Sequence, residues 1–300
     1  MGTPAFAVPS LESIVAAGHD VAAVFTQPDR PKGRGLQGAM PPVKEAALRL
    51  GLAVRQPEKV RRPEVVAQLR GMAPEAMVVV GYGQIIPAAI LEIPPMGIVN
   101  VHASLLPKYR GAAPIQWAIA RGETRTGVTT MRINEGLDTG DMLLEWETEI
   151  GAEETALELG ERLAAAGADL LVRTLAELPS IRPEPQDDLQ ASYAPILKKE
   201  DGKIDWQLPS RQILNRIRGF VPWPGAYGFL RGQRLVIWKA AAGEAALPPG
   251  ALRVINRKLY AGCGDGSSIE MREVQLEGKK RMQAVSFLNG FPMAADEVLQ

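Results

Sequence analysis

Gly97–Ile98–Val99–Asn100–Val101–His102–Ala103–Ser104–Leu105–Leu106–Pro107 is the stretch that decides the fold. Residues 98–101 are β-branched and apolar on both sides of Asn100, the composition of a strand buried on both faces. Side chains alternate along a strand, so Asn100 and His102 share one face while Val99 and Val101 share the other. His102 is one of only 2 histidines in the chain. A carboxamide and an imidazole pointing the same way, just before a loop, offer two donors toward one substrate oxygen. That arrangement suits chemistry on a carbonyl.

Outward from this strand, helix-like and strand-like segments alternate. Residues 8–17 read as a helix, 21–25 as a strand, 43–50 as a helix and 77–80 as an apolar strand. Beyond 97–102 come a helix at 113–121, strands at 127–133 and 142–146, and a long amphipathic helix rich in Ala and Leu at 153–178. The alternation predicts an α/β, Rossmann-like domain over residues 1–178, with a mainly parallel sheet covered on both faces. Ligands of such sheets bind beyond the carboxyl ends of the strands, where the loop after His102 lies.

Residues 179–188 are proline-rich, charged and poorly suited to a helix, so 179–200 reads as a linker. Residues 201–300 change character. A short helix at 211–218 precedes short strands with glycine turns at 227–230, 234–240, 252–255, 258–261 and 268–276, a spacing that predicts a small antiparallel barrel.

The bulk composition agrees with two ordinary globular domains: 300 residues, 46% hydrophobic and 23% charged. A single cysteine, Cys263, excludes an internal disulfide framework and a cysteine-rich zinc site. Within Gly262–Cys263–Gly264–Asp265–Gly266 it reads as a small residue of a turn, and no metal is expected. No apolar run approaches the ~20 residues that span a bilayer, and no signal peptide is visible, so a cytoplasmic protein is expected. Residues 201–300 carry 14 Lys and Arg against 9 Asp and Glu, while the whole chain is balanced at 34 against 34. A basic C-terminal third beside an acidic remainder suits contact with a polyanion, though the excess is small.

Two further segments hold candidate residues. Asn134–Glu135–Gly136–Leu137–Asp138–Thr139–Gly140–Asp141 is an acidic turn whose spacing does not match a calcium loop. Pro28–Asp29–Arg30–Pro31–Lys32–Gly33–Arg34–Gly35–Leu36–Gln37–Gly38 is a basic, glycine-rich loop. Its last six residues match G-x-G-x-x-G, but they do not directly follow a strand, and Pro41–Pro42 come next rather than a helix opening on the third glycine. A dinucleotide site is therefore rejected.

These motifs, with Gly2–Thr3–Pro4, Phe25–Thr26–Gln27–Pro28–Asp29–Arg30–Pro31, Pro107–Lys108–Tyr109–Arg110–Gly111–Ala112–Ala113–Pro114–Ile115–Gln116 and Val221–Pro222–Trp223–Pro224–Gly225–Ala226–Tyr227, identify a resemblance. The chain resembles the methionyl-tRNA formyltransferases, within the 10-formyltetrahydrofolate-dependent formyltransferase superfamily, over nearly its whole length. The resemblance implies a Rossmann-like domain followed by an OB-like C-terminal domain. It implies transfer of the formyl group of 10-formyltetrahydrofolate to the α-amino group of methionyl initiator tRNA.

It further implies that Asn100, His102 and Asp138 are catalytic and that Ser104, Leu105, Leu106 and Pro107 line the folate site. Arg30, Lys32 and Arg34 would engage the tRNA acceptor end. Asn100 and His102 would donate to the formyl oxygen as charge develops there. A carboxylate near an imidazole stabilises its protonated form, so Asp138 would support His102 and relay a proton from the attacking amine to N10. Apolar Leu105 and Leu106, in a loop beside the reactive pair, could contact a flat pterin. A monomer is expected, with a basic barrel as the tRNA contact. His19, Trp223 and Tyr227 read as structural.

The resemblance also places a strand, internal to the sheet, immediately before Gly2–Thr3–Pro4. Its loss would leave backbone groups of two neighbours unpaired. The cellular polypeptide is therefore expected to begin roughly five residues upstream, about one strand length. Rival readings are a formyltransferase acting on glycinamide ribonucleotide or an amino sugar-nucleotide, a formyltetrahydrofolate hydrolase, and a non-catalytic RNA-binding protein. The segment 110–116, the basic loop and the basic barrel argue against a small acceptor. RNA binding alone does not require Asn100, His102 and Asp138 together.

Overall fold

The computed structural model describes residues 1–32, 37–294 and 297–300. In chain order its first elements are α1 (Val8–Ala16), β1 (Val24–Phe25), β2 (Arg30–Lys32), β3 (Gln37–Ala39), α2 (Pro42–Arg49), β4 (Val54–Arg55), α3 (Pro63–Met72) and β5 (Met77–Val79). Then come α4 (Ala88–Leu91), β6 (Ile98–His102), β7 (Arg110–Gly111), α5 (Pro114–Ala120), β8 (Arg125–Arg132), β9 (Met142–Glu149), α6 (Ala156–Glu177) and β10 (Tyr193–Ala194). The remainder is α7 (Ser210–Gly219), β11 (Ala226–Leu230), β12 (Gln233–Gly243), β13 (Leu252–Ile255), β14 (Lys258–Gly262), β15 (Ser268–Leu276), β16 (Met282–Gln283) and α8 (Ala284–Gly290). Proline occupies the first turn of α1, α2, α3 and α5, where its fixed φ suits the helix and its missing N–H costs nothing.

The chain forms two compact units. The first comprises Met1–Gly111, Thr126–Thr148 and Gly160–Tyr193, the second Ala112–Arg125, Glu149–Leu159 and Ala194–Gln300. In the first, β5, β6, β8 and β9 form one sheet in that order, with β5 parallel and β8 antiparallel to β6. A second pair, β1 and β4, is also parallel. All five residues of β6 are buried, as the apolar run required. Gly167 of α6 packs so closely on β6 and β8 that a Cβ there would lie 2.9 Å from Val101. Val101 and its neighbour-but-one Val99 therefore face α6, and Asn100 and His102 project from the opposite face.

Met1 and Gly2 join the two sheets. The Gly2 N–H donates to the Phe25 carbonyl at 3.0 Å, Gly2 pairs in parallel with Val80, and the Val80 N–H donates to the Met1 carbonyl at 2.9 Å. Behind them lies a cavity of about 610 Å³ lined in part by Val24, Met77, Val78 and Leu175. The buried Met1 amino group donates to the Val78 carbonyl at 2.6 Å. Burial pushes its pKa down to about 5.

In the second unit β11, β12, β15, β14 and β13 follow one another in an antiparallel sheet, with β16 added to β15. Its two edges are joined by the chain's last residues. The Leu252 N–H donates to the Glu297 carbonyl and the Leu299 N–H to the Gly250 carbonyl, on the β13 side. Gln300 and Phe229 exchange a pair of hydrogen bonds on the β11 side. Residues 297–300 thus hydrogen-bond to both edges of this antiparallel sheet, with Leu299 in its core beside Leu230, Leu235, Leu252 and Leu259.

Candidate active site

Asn100 and His102 leave β6 only 9% and 6% exposed. No other described residue hydrogen-bonds the Asn100 carboxamide. The His102 ring is fixed by its Nε2, which lies 2.9 Å from the Tyr109 carbonyl. A carbonyl can only accept, so Nε2 carries the hydrogen and Nδ1 is the nitrogen left for chemistry. Nδ1 lies 3.7 Å from Asp138 Oδ2, an ion-pair distance rather than a hydrogen bond. The structure therefore brings together the three residues the resemblance singled out, on one face of the sheet.

The loop carrying Asp138 is shaped locally. Asn134 Oδ1 accepts from the Gly136 N–H at 3.0 Å and from the Thr139 hydroxyl at 2.9 Å, closing an Asx turn. Asp138 itself sits at φ +53°, a left-handed conformation that aspartate tolerates better than most residues. Gly140 passes the Arg132 carbonyl so closely that a Cβ would collide with it. The Asp138 carboxylate is held by the Gly111 N–H, 2.8 Å from Oδ2.

The loop after His102 is pinned from below. The Ser104 hydroxyl donates to the Lys108 carbonyl at 2.6 Å, and the Leu106 N–H donates to Thr129 Oγ1 at 3.1 Å. Ser104 and Leu106 are buried, whereas Leu105 and Pro107 are partly exposed beside the reactive pair. The sequence placed all four at a folate site. The structure gives the outward position to Leu105 and Pro107 and a loop-holding position to Ser104 and Leu106. The uncommitted Asn100 carboxamide, the free Nδ1 and this apolar rim fit a formyl donor.

Of the basic loop, Arg30 is exposed, and residues 30–32 pair antiparallel with 37–39. Residues 33–36, which hold the first two glycines of the rejected dinucleotide motif, fall outside the described residues. Lys32 lies on β2, and Arg34 falls outside the described residues. His19 is exposed between α1 and β1. Tyr227 is buried with the Arg234 guanidinium 4.0 Å from its ring centre, as a packing residue should be. Trp223 is 53% exposed, which departs from the packing role expected of it. Cys263 is fully buried, and burial pushes its thiol up to about 12, consistent with the structural reading.

The formyl transferase family model matches residues 1–175, and the model of the formyl transferase C-terminal domain matches residues 196–292. The chain belongs to the formyl transferase family. It is 61% identical, over 100% of its length and 97% of the relative's, to a methionyl-tRNA formyltransferase of Solibacter usitatus. A methionyl-tRNA formyltransferase of Koribacter versatilis is 58% identical over 99% of this chain and 96% of its own. Among solved structures, an N-formyltransferase from Helicobacter canadensis in complex with folinic acid and dTDP-3-aminofucose superposes with a TM-score of 0.67 at 20% identity, covering 90% of this chain and 96% of that one. At that identity the likeness establishes the fold.

Proposed function

We propose that this chain transfers the formyl group of 10-formyltetrahydrofolate to the α-amino group of methionyl initiator tRNA, the step that readies it for translation initiation. The observation that carries the reading is the pair Asn100 and His102 on one face of β6, opposite the Asp138 carboxylate 3.7 Å away, in a chain related along its whole length to methionyl-tRNA formyltransferases.

The co-substrate supplies an activated formyl group. The Asn100 carboxamide and, in the imidazolium form, His102 Nδ1–H donate to the formyl oxygen as negative charge develops there. Asp138 steadies that imidazolium and relays the proton lost by the attacking amine to N10, so one C–N bond forms as the other breaks. Leu105 and Pro107 give apolar surface to the pterin, while Ser104 and Leu106 hold their loop. Arg30, Lys32 and Arg34 meet the acceptor end of the tRNA as backbone-neutralising cations. The protein acts as a cytoplasmic monomer.

The test is an acceptor panel with 10-formyltetrahydrofolate and one of methionyl initiator tRNA, glycinamide ribonucleotide, an amino sugar-nucleotide or water. Formyl product with charged tRNA alone, with affinity falling steeply as salt rises, is the expected result. Transfer to a small amine or to water in preference to tRNA overturns it.

A further inference from the structure

Gln186 lies in the proline-rich segment after α6 whose composition reads as a linker, 48 residues beyond Asp138 in the chain. Its side chain nevertheless reaches the Asp138 loop. Gln186 Nε2 donates to the Asp138 carbonyl at 2.9 Å and to the Gly140 carbonyl at 2.7 Å. Gln186 Oε1 accepts from Arg110 Nε at 2.9 Å. The orientation of the amide is fixed by chemistry: Arg110 can only donate and the two carbonyls can only accept, so oxygen and nitrogen cannot exchange places. Arg110 is itself only 3% exposed and pairs with Asp188 at 2.8 Å.

These contacts close a ring around one catalytic group. Arg110 fixes Gln186, Gln186 fixes the main chain on both sides of Thr139, and the residue after Arg110, Gly111, holds the Asp138 carboxylate through its N–H. The restraint has something to work against. Asp138 is in a left-handed conformation in an otherwise exposed turn, where a non-glycine residue is mildly strained. The Asn134 turn shapes the loop from one side, and the Gln186 amide ties its main chain from the other.

We infer that Gln186 is a positioning residue for formyl transfer, clamping the Asp138 loop so that its carboxylate stays opposite His102. The inference rests on the catalytic role proposed for Asp138. A displacement of about 1 Å at such a group costs on the order of 100-fold in rate. Gln186→Ala removes both donors. Gln186→Glu keeps the volume and the contact with Arg110 but cannot donate to the carbonyls when ionised. Both are expected to lower kcat by about 10- to 100-fold, with KM for either substrate within about twofold.

The decisive test is a double-mutant cycle in single-turnover formyl transfer, using Gln186→Ala, Asp138→Asn and the double variant, with far-ultraviolet circular dichroism as a check on folding. If Gln186 acts through Asp138, adding Gln186→Ala to Asp138→Asn changes the rate less than about twofold. Multiplying effects, or a wild-type rate for folded Gln186→Glu, would overturn the inference. Wild-type transfer by Asp138→Asn would instead refute the catalytic reading of Asp138 beneath it.

Discussion

Asp138 Oδ2 and His102 Nδ1 face each other across 3.7 Å, with the opposite ring nitrogen of His102 committed to the Tyr109 carbonyl at 2.9 Å. The histidine thus has a single nitrogen to offer a substrate, and a carboxylate stands beside it. The imidazole can donate from Nδ1 only when both nitrogens carry hydrogen.

Removing either partner should therefore cost rate and not fold. Asn100→Ala and His102→Ala should each lower single-turnover formyl transfer by about 10²–10³. Asp138→Asn should lower it by about 10²–10⁴, since an amide keeps the shape but cannot take the proton. Near-native circular dichroism beside those losses would confirm that the groups act in the reaction. A wild-type rate for any one of them would remove that residue from the mechanism.

The Met1 amino group predicts a pH dependence of stability. Burial lowers its pKa from the ordinary 8.0 to about 5 in the fold. Between those values the unfolded chain binds more protons, so this group's contribution to stability falls as pH drops from about 8 to about 5 and stays low below that. Urea unfolding midpoints across this window measure it. A midpoint that does not change across this window would contradict the burial of this amine.

The hydrogen bonds of residues 297–300 to both edges of the antiparallel sheet predict that this segment is sensitive to change. Leu299 is 3% exposed in the core of the second unit. Leu299→Ala should cost about 2–5 kcal/mol of unfolding free energy in that unit. Deleting residues 297–300 should cost at least as much, since it also unpairs the edges of β11 and β13. Denaturation of both variants by urea provides the check.

The thiol of Cys263, buried and pushed up to about 12, should resist alkylation near neutral pH until the protein unfolds. Labelling by iodoacetamide should track the unfolding curve, with a native-state rate far below that of a free thiol.

Much of this was legible in the sequence because period and composition agreed. The β-branched run around Asn100 announced a doubly covered strand, and alternation alone put Asn100 and His102 on one face. The acidic turn around Asp138 was visible as a turn, and only family resemblance tied it to His102. Short elements escaped. β4 is two residues long, and the strand expected at residues 21–25 is observed only at Val24–Phe25. The helix α3 was not anticipated, although Pro63 marks its first turn. Gln186 was hidden for a different reason: its segment has the composition of a linker, and its hydrogen bonds span 46 and 48 residues, which no local pattern records. The commitment of His102 Nε2 to Tyr109 was equally invisible, because it depends on the path of a loop.

The most direct measurement is single-turnover formation of formyl-methionyl initiator tRNA from 10-formyltetrahydrofolate, comparing the native chain with Asp138→Asn. The account predicts rapid product with the native chain and a rate lower by about 10²–10⁴ with the variant. Equal rates for the two, or no product from methionyl initiator tRNA with a folded native chain, would contradict it.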